Sequence, residues 1–92
     1  MKLPREVWVG ETVWTIRRVR KVPDNPENTI GLADPSDQVI YVKSGQGFRQ
    51  TLATLIHELI HACEFTYEYD IPHKLIDKLD EHLADILIDN FL

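Results

Sequence analysis

His57-Glu58-Leu59-Ile60-His61 sets two imidazoles four residues apart with a carboxylate beside the first. On an α-helix, residues four apart lie one turn above each other, so both rings can reach one metal ion while Glu58 stands next to it as a proton acceptor. The surrounding run supports a helix, because Phe48, Leu52, Ile56, Leu59 and Cys63 recur at helical spacing from about Phe48 to Tyr67. At about 100° per residue, His57 and His61 fall nearly opposite the Leu52-Ile56-Leu59-Cys63 stripe. The pattern therefore keeps them out of that helix's core and turns them toward a cleft or solvent.

Two protein ligands do not complete a catalytic site, which typically takes three and leaves the fourth position to water. Nineteen residues separate His61 from Glu81, and Asp85 follows four positions later in Asp80-Glu81-His82-Leu83-Ala84-Asp85. This pattern resembles that of the gluzincin clan of zinc metallopeptidases, the thermolysin-like proteins, in which H-E-x-x-H is followed by E-x-x-x-D. The strings Thr54-Leu55-Ile56-His57-Glu58-Leu59-Ile60-His61-Ala62 and Leu87-Ile88-Asp89-Asn90 also resemble small phage and bacterial zincin-like proteins. The resemblance covers roughly the second half of the chain. It implies zinc bound by His57, His61 and Glu81, with Glu58 as general base and Asp85 supporting a ligating histidine from behind. The residues themselves leave two other third ligands open: His73, which begins the second helix, and His82.

Size limits what such a site can be built into. A chain of 92 residues makes a single domain, residues 1–92, with a modest core and no room for two lobes around a deep cleft. A groove for a peptide or protein substrate is then shallow, or completed by a protein partner. Charge is uneven: residues 1–47 carry seven Lys or Arg against six Asp or Glu, residues 48–92 three against nine, which sums to the net charge of −5. The acidic half holds the motif, which favours a cation and disfavours nucleic acid there. The basic stretch Arg17-Arg18-Val19-Arg20-Lys21 reads as the solvated side of a strand. No apolar run is long enough to span a bilayer, and Met1-Lys2-Leu3-Pro4-Arg5 lacks a signal-peptide core. With Cys63 as the sole cysteine, no internal disulfide can form, and the expected setting is cytoplasmic, away from membranes.

The first half of the chain reads as β and the second as α. Glu6 to Val9 and Thr12 to about Val22 are rich in β-branched and aromatic residues around a Gly10-Glu11 turn, which predicts a hairpin. Pro23-Asp24-Asn25-Pro26-Glu27-Asn28 and Asp34-Pro35-Ser36-Asp37 are turn sequences, and Gln38 to Val42 is a further strand. A second helix follows Ile71-Pro72, with Ile76, Leu79, Leu83 and Leu87 as its apolar stripe. The expected class is α+β: a short N-terminal antiparallel sheet, an active-site helix and a C-terminal helix, a minimal zincin-like arrangement. Glu81 and Asp85 point away from the second stripe, so the two helices must cross with their other faces meeting at the metal.

The chemistry expected of such a site is peptide hydrolysis by a zinc metallopeptidase, with Glu58 taking a proton from the attacking water. The strand Gln38 to Val42, directly before the helix, is the expected partner for an extended substrate. Tyr67 and Tyr69 have hydroxyls that could serve an oxyanion, although packing suits each better. The alternative is a non-catalytic zinc-binding interaction module with a zincin fold. Glu58 separates the two, since a structural metal clip has no use for a base.

Overall fold

The computed structural model describes residues 2–23 and 29–92. Met1 and most of the turn expected at Pro23 to Asn28 lie outside them. The elements are β1 (Glu6–Val9), β2 (Thr12–Val19), β3 (Gly31–Asp34), β4 (Val39–Lys43), α1 (Phe48–Tyr67) and α2 (His73–Asn90). The α+β class is as expected, a four-stranded N-terminal sheet followed by two helices. None of the described helices is long and apolar enough to cross a membrane.

β1 and β2 form the expected hairpin, with Val9 paired to Thr12 across the Gly10-Glu11 turn. Gly10 sits at φ 61, the left-handed region that such two-residue turns require. The sheet order is β1-β2-β4-β3. It is mixed rather than wholly antiparallel, because β2 and β4 run parallel while the outer pairs are antiparallel. Val39, Ile40 and Val42 make β4 the most apolar strand, and it takes an inner place in the sheet, paired on both edges. Fully burying a chain such as Ile40 or Val42 contributes about 1.5–3 kcal/mol. The Asp34–Asp37 turn forms as read, with the Asp34 carboxylate accepting the N–H of Ser36 at 2.9 Å.

The placement of β4 corrects the expectation that its strand pairs with a substrate, since both of its edges are already used by β2 and β3. The strand at the sheet edge beside α1 is β3, which the sequence reading did not identify. The Lys43 N–H donates to the Ile30 carbonyl at 2.9 Å. In the β3–β4 register this makes Leu32 and Asp34 the hydrogen-bonded positions and turns the backbone groups of Gly31 and Ala33 outward.

α1 is covered on two sides. Leu55, Leu59, Ala62 and Cys63 pack on the sheet with Trp14, Ile16, Ile40 and Val42, while Leu52, Ala53, Ile56 and Ile60 pack on Ala84, Leu87 and Ile88 of α2. Its N-terminus is fastened by Gln46, whose amide donates to the Lys43 carbonyl at 2.8 Å and accepts the Thr54 hydroxyl at 3.2 Å. That satisfies the buried Thr54.

The α2 stripe is rotated from the expected one. Ile76, Asp80 and Ala84 are the buried positions, whereas Leu79 and Leu83 are exposed. Two helices approach most closely where a side chain is small, which favours Ala84 over a leucine, and Asp80 is drawn into the seam by a histidine of α1. Apolar periodicity cannot register either reason. The rotation decides which residues of α2 reach the site.

Candidate metal centre

With one side of α1 on the sheet and another on α2, its remaining sector carries Thr54, His57, Glu58, His61 and Glu64. The His57 and His61 side chains are 16% and 25% exposed, so packing has removed most of their rotamer freedom. Their Nε2 atoms lie 3.2 Å apart. The third ring is His73, the first residue of α2, with its centroid 5.0 Å from that of His57 and 5.5 Å from that of His61. One nitrogen from each of the three rings falls within 4.8 Å of the others, so the group could hold a metal ion.

Behind each ring stands a carboxylate. His57 Nδ1 is 2.8 Å from Asp80 Oδ2, and Asp77 Oδ1 is 3.5 Å from the same nitrogen. His61 Nδ1 is 2.6 Å from Glu64 Oε1, and His73 Nδ1 is 3.3 Å from Asp77 Oδ2. A carboxylate only accepts, so Nδ1 is the donor in the His57 and His61 contacts, and in the neutral ring the lone pair then stays on Nε2. For His57 and His61 this leaves two lone pairs facing each other at 3.2 Å, an arrangement that a shared cation relieves. An ion bound tetrahedrally at about 2.0–2.1 Å holds two nitrogens about 3.3 Å apart, so the His57–His61 pair fits, and His73 lies within reach as the third donor. Asp77 and Asp80 form a second group with His57 through Nδ1, but the short Asp80 contact reads as the support for the ring rather than a rival site.

Glu58 is buried, 7% exposed, between the histidines and β3. Burial pushes its carboxyl up to about 7; the neighbouring His57 and His73 pull it down, Asp80 adds to the rise, and the Ala33 N–H donated to it lowers it again. Gly31 fits this contact by lacking a side chain, because a Cβ there would sit 2.8 Å from both Glu58 Oε2 and Thr54 Cγ2. Two clefts, about 430 Å³ and 310 Å³, meet along β3 and share Gly31, His57 and Glu58. The larger is walled by Glu58, Asp77, Asp80 and Glu81 with no Lys or Arg among the described residues that line it, so its field favours cations. Glu64 is held below the usual carboxylate range, first by the N–H of Ile71 and further by His61, against the opposing effect of desolvation.

His57, Glu58 and His61 are thus brought together, and His73, left open in the sequence as a third ligand, joins them. Glu81 lines the larger cleft but is exposed and belongs to neither three-residue group. Asp85 touches no histidine ring nitrogen among the described residues. Its carboxylate is taken by Arg49, at 2.7 Å to Nε and 3.1 Å to Nη2, and the position behind His57 is filled by Asp80 instead. His82 is exposed and outside the cluster. The Tyr67 hydroxyl lies against Gly10 at the β1–β2 turn, and the Tyr69 hydroxyl is raised by burial and by the neighbouring Cys63 and Glu64. The sequence reading missed Glu64, Asp77 and Asp80 as ring partners. Their signal is local for two of them, since His61 and Glu64 are three apart and His73 and Asp77 four apart on their helices.

No protein-family model matches the chain, and neither a curated protein nor a solved structure does.

Proposed function

We propose that the chain is a zinc-dependent metallopeptidase of zincin type, in which His57, His61 and His73 hold the metal and Glu58 is the general base. Three imidazoles suit zinc better than calcium or magnesium, which prefer oxygen donors. When bound, zinc supplies Lewis acidity toward a water molecule and a peptide carbonyl. The observation that carries the reading is the seat of Glu58: a base near neutrality, directly beside the donor cluster and directly behind β3, the edge strand of the sheet among the described residues. A clip that only binds metal gains nothing from burying a carboxyl there, which costs desolvation energy.

The chain's own groups define the rest of the reaction. The outward backbone of Gly31 offers an extended peptide a strand to pair with, so the peptide runs along β3 past His57 and Glu58. The Ala33 N–H orients the Glu58 carboxylate, which accepts a proton from water and later returns it to the leaving amine. Asp80, Glu64 and Asp77 hold the rings in the tautomer with Nε2 free.

The test is an unbiased peptide library digested by the zinc-loaded protein and by Glu58→Gln. The parent is expected to cleave, and the variant to retain zinc while losing about 10² to 10⁴-fold in rate. A parent that binds zinc yet cleaves nothing contradicts the peptidase reading in favour of a zinc-binding interaction module. A variant that cleaves as fast as the parent contradicts the role of Glu58.

A further inference from the structure

His73 differs from the other two rings in what holds it. His57 and His61 are packed within α1, but the His73 side chain is 63% exposed, and the Asp77 carboxylate behind it is 57% exposed. Its position depends on the short connection from Tyr67 to His73 that starts α2. Within that connection the Ile71 N–H is accepted by Glu64 Oε2 at 2.7 Å. The other oxygen of the same carboxylate is the one 2.6 Å from His61 Nδ1. The Glu64 backbone carbonyl also accepts the N–H of Glu68 at 2.9 Å and of Tyr69 at 3.3 Å, where Glu68, at φ 58, ends α1 in the left-handed conformation. One residue therefore closes α1, fastens the connection and backs a ring.

We infer that Glu64 is a positioning residue that couples two metal ligands, orienting His61 through one carboxylate oxygen and fixing the delivery of His73 through the other. The inference rests on the metal reading above. Only a carboxylate serves both partners, because the Ile71 N–H and the His61 Nδ1–H are both donors and each needs an acceptor. Glutamine separates the two roles. The Ile71 N–H would claim its carbonyl oxygen, leaving its NH₂ to face His61 Nδ1, and a donor there moves the ring proton to Nε2, the atom that ligates.

The experiment compares the parent, Glu64→Gln and Glu64→Ala by zinc titration against a competing chelator, by amide exchange at Ile71, and by ¹⁵N resonances of the His61 ring in the metal-free protein. For Glu64→Gln the expected result is an affinity loss of about 10 to 100-fold, unchanged protection at Ile71, and a His61 proton shifted from Nδ1 to Nε2. Glu64→Ala is expected to lose the Ile71 protection as well. A change of fold alone would not move the tautomer in this way. If the parent binds zinc and Glu64→Gln binds it equally, or if its tautomer is unmoved, the coupling is wrong while the metal reading stands. A parent that takes up no zinc overturns both.

Discussion

The α1–α2 pair sets carboxylates against nitrogen bases at two places, and the two are built differently. At the histidine cluster, Asp80 and Glu64 meet their rings with side chains 11% and 12% exposed, and the other ring nitrogens of His57 and His61 lie 3.2 Å apart beside His73. At the other place, Arg49 and Asp85 form a two-pronged ion pair, each about half exposed. There the hydrogen bond and charge of Arg49 lower the Asp85 carboxyl, and Asp85 raises Arg49 in return, but solvent and salt screen the pair. The ion pair satisfies itself and directs nothing onward. The histidine cluster uses its carboxylates to leave other atoms unsatisfied, which is what a binding site requires.

That contrast can be broken most forcefully at the third ligand. His73→Ala is expected to weaken zinc binding by roughly 100-fold or more, above the cost of losing a supporting residue, whereas Glu81→Ala should bind nearly as the parent does. The reverse order would return the third ligand to the position implied by the thermolysin-like pattern. A smaller effect distinguishes the two aspartates. Asp80→Asn replaces the charged acceptor behind His57 with a neutral amide and should cost about 10 to 100-fold in zinc affinity, while the titration curve of Asp85→Asn should overlay the parent's.

Stability against pH sharpens the same comparison in the metal-free protein. Because burial raises Glu58 to about 7, the folded state binds more protons than the unfolded state between its ordinary value of 4.5 and 7. Its contribution is most favourable below about pH 4.5 and is lost as pH rises to 7. Glu58→Gln should therefore be more stable than the parent above pH 7, by at most about 3 kcal/mol, with the difference closing below pH 4.5. Denaturant titrations at pH 4 and 8 check this; an equal difference at both would mean that Glu58 is not held in its neutral form by the fold. The smallest effect belongs to the surface pair. Arg49→Ala should lower the melting temperature only slightly, and raised salt should erase what change there is.

α1 and its two histidines were legible in the sequence because H-E-x-x-H and the apolar period agree on one helix. The sheet was legible less completely. Gly31-Leu32-Ala33-Asp34 has the composition of a loop, and its strand character comes from pairing with β4, a contact that no local signal encodes. The face of α2 is legible in part: Ile76 and Leu87 of the expected stripe do pack inward, and Leu79 and Leu83 do not. The stripe with the leucines looked like the core, but the seam against α1 is made by Ile76, Asp80 and Ala84, chosen by close approach and by the His57–Asp80 bond. Once that rotation is known, the placement of Asp77 and Asp80 at the rings follows, as does the distance of Asp85 from them.

The ligand set itself is the most direct point of test. X-ray absorption at the zinc edge, on protein carrying one equivalent of zinc after removal of excess, reads the atoms around the metal. The account predicts about one zinc per chain with scattering from three imidazoles. Two imidazoles with a protein carboxylate in the third position, or no zinc retained, would contradict it.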